Sequence, residues 1–187
     1  DRARNGLKAD LEYKLLIEYK QPEIINGSGE KTYYDGTVYN GEFKNGLRNG
    51  FGTAIFSNGD KYTGEWVEDL KEGQGTYISE NGEKYIGEWR KNYSEGYGVQ
   101  TYLNGDKYSG DWKAGQRSGQ GTYIWKDGQL FVGEWKNDVR EGKGTIVLSS
   151  GGRIEGVWRN GKIVENSNLA APTPTPTPTP TSETPTK

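Results

Sequence analysis

The sequence predicts an all-β protein, an elongated single-layer antiparallel meander of hairpins that repeat every 23 residues. The first observation is the segment Tyr62-Thr63-Gly64-Glu65-Trp66, whose pattern recurs in six copies without insertion or deletion. The copies begin at residues 39, 62, 85, 108, 131 and 154. The second observation is an Asn-Gly or Asp-Gly pair at one phase of the repeat, and the third is a Gly-x-Gly triplet at another. A fixed period of this length indicates a repeat architecture.

Each repeat has the pattern of a hairpin. In the first half, alternation places Tyr62, Gly64 and Trp66 on one face of a strand. The second half, residues 73–78, is also strand-like, and Asn81-Gly82 separates it from the next copy. Asn-Gly and Asp-Gly are preferred in two-residue hairpin turns because both central residues need positive φ. The sequence therefore predicts such a turn at this phase of each repeat.

The Gly-x-Gly triplets need a separate explanation, since glycine inside a strand weakens it unless another group approaches closely. With 29 glycines and only 30% hydrophobic residues, a conventional two-layer core is not expected. We expect instead that the Tyr and Trp rings of the adjoining strand lie flat over bare backbone, in two parallel rows. Replacement of Gly75 by Val should then displace Trp66 or Trp89.

Residues 1–26 are expected to cap the open edge of the sheet. Alternation from Leu11 to Tyr19 favours a strand. A helix is the alternative, because Leu7, Leu11, Leu15 and Tyr19 fit one helical stripe, and both interpretations of residues 7–20 stay open.

The repeat array is placed at residues 27–163, beginning with a half repeat. Residues 164–187 form a Pro/Thr-rich linker in which Pro and Thr alternate strictly from Pro172 to Thr181. Such a segment cannot pair in a sheet, and we expect a disordered, extended spacer. Stretches of this composition are typical of O-glycosylated stalks, which inclines the otherwise unknown localisation towards the cell surface or secretion. Such spacers also join cytoplasmic modules, so a cytoplasmic or membrane-associated location stays open.

These residues resemble the membrane occupation and recognition nexus (MORN) repeat, whose pattern is Tyr-x-Gly-x-Trp-x-x-Gly, then Gly-x-Gly, then a closing Gly. The match covers residues 27–161. Asp69, Asn92 and Asp138 replace the Gly that follows Trp by three, and the bend should persist because Asp and Asn tolerate left-handed backbone. The resemblance implies a twisted sheet with an aromatic-lined groove. It also implies a binding or assembly module, often homodimeric, and phospholipid binding gave the family its name.

The candidate partner-binding groove consists of the aromatic residues at the Tyr and Trp positions of the four central copies. Packing already requires their spacing, so a structural role alone explains them, and partner binding is a second role to weigh. Tyr and Trp are also enriched at binding hot spots. The candidate residues are Tyr62, Trp66, Tyr85, Trp89, Tyr108, Trp112, Phe131 and Trp135.

A row of carboxylates recurs at one phase of the repeat. Paired carboxylates can bind calcium or perform acid–base chemistry. Lys and Arg residues are interleaved with them, however, and alternating charges on the solvent face of a strand explain the row without a function. The structural interpretation is therefore preferred. The row consists of Glu42, Glu65, Glu88, Asp111 and Glu134.

The composition argues against several functions. The chain has no Cys and no His, which removes thiolate nucleophiles, imidazole bases and the usual zinc ligands. Its net charge is −2 and its acids and bases are interleaved, so nucleic-acid binding is not expected and anionic lipid is only weakly supported as a partner. We expect no enzyme activity, no cofactor and no metal site.

The leading hypothesis is a non-catalytic protein–protein interaction or scaffolding module that binds another protein or a second copy of itself. One alternative is a regulatory or targeting segment of a larger enzyme, such as a kinase or methyltransferase. A further alternative is a surface module that binds glycan through its aromatic side chains or membrane lipid through its basic residues.

Overall fold

The computed structural model describes residues 24–166 and Lys8, and residues 24–166 form one open sheet of 13 antiparallel strands. The strands lie in sequence order, each hydrogen-bonded to the next. This confirms the predicted single-layer meander of 23-residue hairpins. The strands are β1 (Gly27–Thr32), β2 (Val38–Lys44), β3 (Leu47–Ile55), β4 (Lys61–Val67), β5 (Leu70–Ile78), β6 (Lys84–Arg90), β7 (Tyr93–Thr101), β8 (Lys107–Lys113), β9 (Gln116–Ile124), β10 (Leu130–Lys136), β11 (Val139–Val147), β12 (Arg153–Arg159) and β13 (Lys162–Asn166).

Two predicted segments fall largely outside this description. The capping strand or helix expected within residues 7–20 lies outside the described residues apart from Lys8, and so does the Pro-Thr tail from residue 167 onwards. The last strand, β13, continues to Asn166, past residue 163, where the sequence places the end of the array.

A line of glycines crosses the sheet at right angles to the strands, from β1 to β12. Gly64 of β4, for example, pairs with Gly52 of β3 on one side and with Gly75 of β5 on the other. Because none of these residues has a side chain, the line leaves a strip of bare backbone. It consists of Gly29, Gly41, Gly52, Gly64, Gly75, Gly87, Gly98, Gly110, Gly121, Gly133, Gly144 and Gly156.

From β2 to β11, rings at the Tyr position rather than indole rings cover this strip, and they are four phenol rings and the phenyl ring of Phe131. A Cβ atom on Gly75 would lie 2.3 Å from Oη of Tyr62, and that oxygen donates a hydrogen bond to the carbonyl oxygen of Glu65 at 3.1 Å. The expectation that Gly75 makes room for Trp66 or Trp89 is therefore wrong. Trp89 instead approaches Gly75 through a hydrogen bond, since its indole N–H donates to the Gly75 carbonyl oxygen at 3.2 Å.

The hairpin turns at the Asn-Gly phase differ from the prediction. Only the glycine has positive φ there, with 87° at Gly59, whereas Asn58 does not lie in the left-handed region. The N–H of Gly59 donates to the carbonyl oxygen of Phe56, and the N–H of Phe56 donates to that of Asp60. The loop therefore has three residues, a pattern that pairs a type I turn with a glycine in a bulge. The expectation of positive φ at both Asn and Gly is wrong.

The two-residue turn with positive φ at both positions follows the Trp position instead. In the turn between β4 and β5, φ is 48° at Glu68 and 66° at Asp69. Asn92 and Asp138 have φ values of 72° and 67° at the equivalent position. This confirms that the left-handed bend persists where the family's Gly is replaced. Their side chains also have a use, because Oδ1 of Asn92 accepts the backbone N–H of Lys71 at 2.8 Å.

The first glycine of each Gly-x-Gly triplet lies in a β-bulge. Between β4 and β5 the register shifts after Gly64, so Gly73 and Gln74 have no partner in β4. Gly73 has a φ of 58°, and the freed N–H of Gln74 donates to the Glu65 carboxylate at 2.9 Å. The four other carboxylates of the row make the same contact nine residues ahead. The carboxylate row therefore has a structural role. Its members accept hydrogen bonds from backbone N–H groups, whereas the sequence suggests lysines and arginines as their partners.

Candidate binding surface

Within residues 24–166, eleven aromatic rings form one continuous row along one face of the sheet, here termed the aromatic face. Each ring at the Tyr position lies between two rings at the Trp position, edge to face, with centroids 5.0–5.5 Å apart and interplanar angles of 79–89°. The two expected parallel rows are thus one interlocked row. In order along the sheet, the rings are Phe43, Tyr39, Trp66, Tyr62, Trp89, Tyr85, Trp112, Tyr108, Trp135, Phe131 and Trp158.

The eight groove residues predicted from the sequence all belong to this row, and all are buried. Trp89 is the most exposed of them at 9%, whereas Tyr62, Tyr108 and Phe131 are fully buried. They form the core of the sheet, so a partner would meet mainly the side chains on either flank of the row. A role of the eight residues in partner binding stays a prediction.

One flank of the row carries basic side chains that sequence analysis did not single out, although they recur with the same 23-residue period. A cation over an aromatic face is attracted by the negative potential of the ring. Four such pairs have cation-to-centroid distances of 4.3–4.5 Å, and position 94, the central member of the series, is a serine. The pairs are Arg48 with Trp66, Lys71 with Trp89, Arg117 with Trp135, and Arg140 with Trp158.

Two of these cations are fixed by carboxylates of the neighbouring turn. Nε of Arg48 donates to Oδ1 of Asp69 at 2.9 Å, and Nε of Arg117 donates to Oδ1 of Asp138 at 3.0 Å. The position of Lys71 differs because the neighbouring turn there carries the neutral Asn92. Burial lowers the pKa of Lys71 to about 8, although the nearby charge of Asp60 acts in the opposite direction.

The other flank carries partly buried apolar side chains, mostly aromatic, that pack against the row. Oη of Tyr123 donates to the carboxylate of Asp106 at 2.6 Å, and Tyr77 makes the same contact with Asp60. These hydrogen bonds lower the pKa of both carboxyl groups, and burial raises the pKa of Tyr77 to about 12. Hydrogen bonds hold these two rings in place. The flank consists of Tyr33, Phe56, Tyr77, Tyr102, Tyr123, Trp125 and Ile146.

At the centre of the face, both flanks are interrupted. On the basic flank, Ser94 stands where the four cation–ring pairs have Arg or Lys. On the aromatic flank, Ser79 stands at the position of Phe56 and Tyr102, and Gln100 at the position of Tyr77 and Tyr123. These residues border an open cleft of about 210 Å³, here termed the Ser94 cleft. Its lining consists of Tyr77, Ser79, Glu83, Tyr85, Trp89, Ser94, Gln100, Trp112 and Gly115.

Other chemistry is sparse in the part of the chain that the structure describes. Those residues contain no group of three or more metal-ligating side chains placed to hold an ion. Within the same residues, no helix is long and apolar enough to cross a membrane. The aromatic face, with its basic and aromatic flanks, is therefore the candidate binding surface.

An open sheet built from similar hairpins, in which rings at the Tyr position cover glycine pairs, defines a single-layer β-repeat protein. The chain belongs to the MORN repeat family, whose model matches residues 24–38, 39–61, 62–84, 85–107, 108–130 and 131–153. A comparison with curated protein sequences gives no match.

Solved structures with a similar fold include two TCP domains. One is the TCP domain of SAS-4 (dCPAP) of Drosophila melanogaster in complex with a proline-rich motif of Ana2 (dSTIL), at 14% identity and a TM-score of 0.45, covering 70% of this chain and 71% of that one. The other is the TCP10 domain of Danio rerio CPAP with a peptide of STIL, at 17% identity and a TM-score of 0.40, covering 69% and 64%. Likenesses this weak say nothing about ligand or partner.

Proposed function

We propose that the chain is a non-catalytic protein-interaction module whose aromatic face binds an extended segment of a partner protein. The observation that carries the proposal is the pair of flanks along the aromatic row, one basic and one aromatic, on the same side of a repeated sheet. Both flanks are partly accessible, and both are held in place by contacts within the chain.

The residue types on these flanks favour protein binding. Tyr, Trp and Arg are the residues most enriched at binding hot spots. Here the guanidinium of Arg117 lies 5.6 Å from the ring centroid of Tyr123, and the ring of Trp125 lies 5.1 Å from that of Tyr123. Side chains already fixed in this way lose little rotamer freedom when a partner binds.

The dimensions of the sheet favour an extended segment that runs across the strands. Thirteen strands at a spacing of about 4.8 Å span roughly 58 Å in the hydrogen-bonding direction. An extended chain that rises about 3.3 Å per residue would cover this distance with roughly 17 residues. A partner of this kind would meet each repeat in turn.

Charge favours protein over lipid as the partner. Attraction to an anionic membrane needs clustered basic charge that is free to face the head groups. On this face, Arg48 and Arg117 are both paired with carboxylates, and the chain has a net charge of −2. The same surface would serve a second copy of the chain, or a larger enzyme of which this array is the targeting segment.

The test is a pull-down from the native lysate with three full-length proteins: the wild type, Tyr102→Ser with Trp125→Ser on the aromatic face, and Ile86→Ser with Val132→Ser on the opposite face. Ile86 and Val132 are each 46% exposed, so their variant is the matched control. We expect at least one protein to be retained by the wild type and the control and lost by the aromatic-face variant. Thermal midpoints establish that all three are folded.

The proposal fails if every retained protein is retained equally by all three forms. It also fails if none is retained and light scattering after size exclusion finds a strict monomer. A dimer that is lost only in the aromatic-face variant would identify the partner as a second copy.

A further inference from the structure

We infer that the Ser94 cleft receives a lysine or arginine side chain from the partner segment, so that the partner supplies the cation that the series lacks at position 94. This inference rests on the proposed function and specifies one point of recognition within it.

The clefts that hold the chain's own cations show what this site is built to accept. Nζ of Lys71 lies 5.9 Å from the ring centroid of Phe56, 5.5 Å from Tyr62, 4.7 Å from Tyr77 and 4.4 Å from Trp89. Arg117 repeats this arrangement 46 residues later, 5.7 Å from Tyr108, 5.6 Å from Tyr123 and 4.5 Å from Trp135. Arg48 and Arg140 occupy equivalent places at the two ends.

Around position 94, two of the four aromatic walls found around Lys71 remain, and a serine replaces the basic residue. Tyr85 and Trp112 stand where Tyr62 and Trp89 stand around Lys71, and their centroids are 5.3 Å apart in the same edge-to-face contact. The indole N–H of Trp112 already donates to the carbonyl oxygen of Gly98 at 3.3 Å. What the indole offers to a ligand is therefore its ring face, which attracts cations.

The remaining lining of the cleft supplies acceptors and negative charge. The two aromatic walls that are missing are replaced by Ser79 and Gln100, and Nε2 of Gln100 donates to a backbone carbonyl oxygen, which leaves Oε1 of that amide to accept. Among the residues that the structure describes, Glu83 is the one acidic side chain in the lining, and none of those that line the cleft is basic. An ammonium or guanidinium group matches this lining, whereas an anion would face Glu83 and an apolar group would offer no donor to Oε1 of Gln100.

The neighbours of the cleft restrict what surrounds the basic residue. Lys71 and Arg117 lie one repeat away on either side, two strands or about 10 Å from the cleft. An extended segment covers that distance in about three residues. Like charges disfavour each other at this range, so the basic residue should have neutral or acidic residues about three positions before and after it.

A titration of the full-length protein with amino-acid amides tests the cleft without a known partner. The probes are Nα-acetyl-arginine amide and Nα-acetyl-lysine amide, with Nα-acetyl-norleucine amide as the uncharged match to lysine. The readout is the indole N–H signal of each tryptophan in two-dimensional NMR. We expect the charged probes to move the Trp112 signal more than those of Trp66, Trp89, Trp135 and Trp158, and to bind roughly 3- to 30-fold more tightly than norleucine amide.

Two variants and one control complete the test. Ser94→Arg should fill the cleft from within and abolish the Trp112 response, whereas Ser109→Arg, which adds the same charge on the opposite face, should leave it unchanged. Lys71→Ser should create a second cleft over the ring of Trp89, so that the signal of Trp89, a residue that already borders the Ser94 cleft, responds more strongly than in the wild type. The last variant keeps the test decisive if Ser94→Arg does not fold.

The inference is overturned if the Trp112 signal does not respond, if norleucine amide moves it equally, or if the response survives in Ser94→Arg. These outcomes are separate from the fate of the proposed function. A partner that is lost with Tyr102→Ser and Trp125→Ser but retained by Ser94→Arg would support the binding surface and reject the cleft.

Discussion

Oη of Tyr62 lies 2.3 Å from the place that a Cβ atom would occupy on Gly75. The phenol ring therefore replaces the missing side chain, and the glycine is required by the ring rather than by the turn. Because Gly75 is not a positive-φ residue, any cost of replacing it comes from the clash and not from the backbone conformation.

Gly75→Ala should consequently destabilise the sheet by about 1–3 kcal/mol, the usual range for overpacking. Urea unfolding followed by tryptophan fluorescence measures the change. Gly152→Ala is the matched control, since its Cβ would lie 3.3 Å from the flexible end of Leu148 at a position without positive φ. Equal midpoints for the two variants would contradict the explanation.

Glu65→Ala should release the bulge N–H of Gln74, which donates to the Glu65 carboxylate. We expect a loss of about 1 kcal/mol and faster hydrogen exchange at Gln74, whereas Glu65→Gln should retain most of the protection. The Tyr97 N–H, held by Glu88, is the internal reference. Unchanged exchange at Gln74 in Glu65→Ala would show that the carboxylate does not protect the bulge.

The turn residues predict a pair of opposite effects. Asn92→Gly removes the acceptor for the Lys71 N–H and should cost about 1 kcal/mol. Gly115 has a φ of 82°, close to the 72° of Asn92. Gly115→Asn should therefore be tolerated and should stabilise the array by roughly 0.4–1 kcal/mol through a less flexible unfolded chain. Thermal melting of the two single variants and the double variant measures the loss in Asn92→Gly and the gain in Gly115→Asn. A midpoint for Gly115→Asn below that of the wild type would contradict the expected stabilisation.

Lys71 should make stability depend on pH. Its pKa is lowered by burial from 10.5 to about 8, so between these values the unfolded state binds more protons than the folded state. The free energy of unfolding should therefore rise as pH increases from about 8. Above about pH 10 it should fall, because the unfolded tyrosines ionise while Tyr77, with a pKa of about 12, stays neutral.

Urea unfolding at intervals from pH 7 to pH 11 measures this profile. Lys71→Met, which keeps an unbranched chain over Trp89, should abolish the rise and leave the fall at high pH. A rise of the same size in Lys71→Met would assign it to another group.

The sequence predicts the strands, their order and the persistence of the left-handed bend, because each depends on local pattern. It does not predict which ring covers Gly75, since that depends on the register and on a bulge that moves one strand past its neighbour after Gly64. Both turn phases carry Asn, Asp and Gly, so composition alone does not distinguish their turn types.

On the candidate surface too, the sequence predicts what depends on local pattern and not what depends on contacts between repeats. The eight groove residues were placed correctly on one face by alternation, but their burial follows from contacts between neighbouring repeats. The Ser94 cleft is lined by side chains that lie far from position 94 in the sequence. Ser79 and Tyr85 lie 15 and 9 residues before it, and Gln100 and Trp112 lie 6 and 18 residues after it. The one available signal was Ser94 itself, the only member of the series at 48, 71, 94, 117 and 140 that is not basic.

The glycine line sets a rule for how the array can change in length. The ring at the Tyr position covers a glycine pair in its own hairpin and contacts the Trp-position indole of the next one. Each Trp-position indole donates a hydrogen bond to the carbonyl oxygen of a glycine 14 residues before it. Adding or deleting a few residues within a strand would move the glycines of that hairpin out from under their ring and would break its contact with the next indole. The gain or loss of whole 23-residue modules preserves each of these contacts. The strands of the array can therefore change in number only by complete modules.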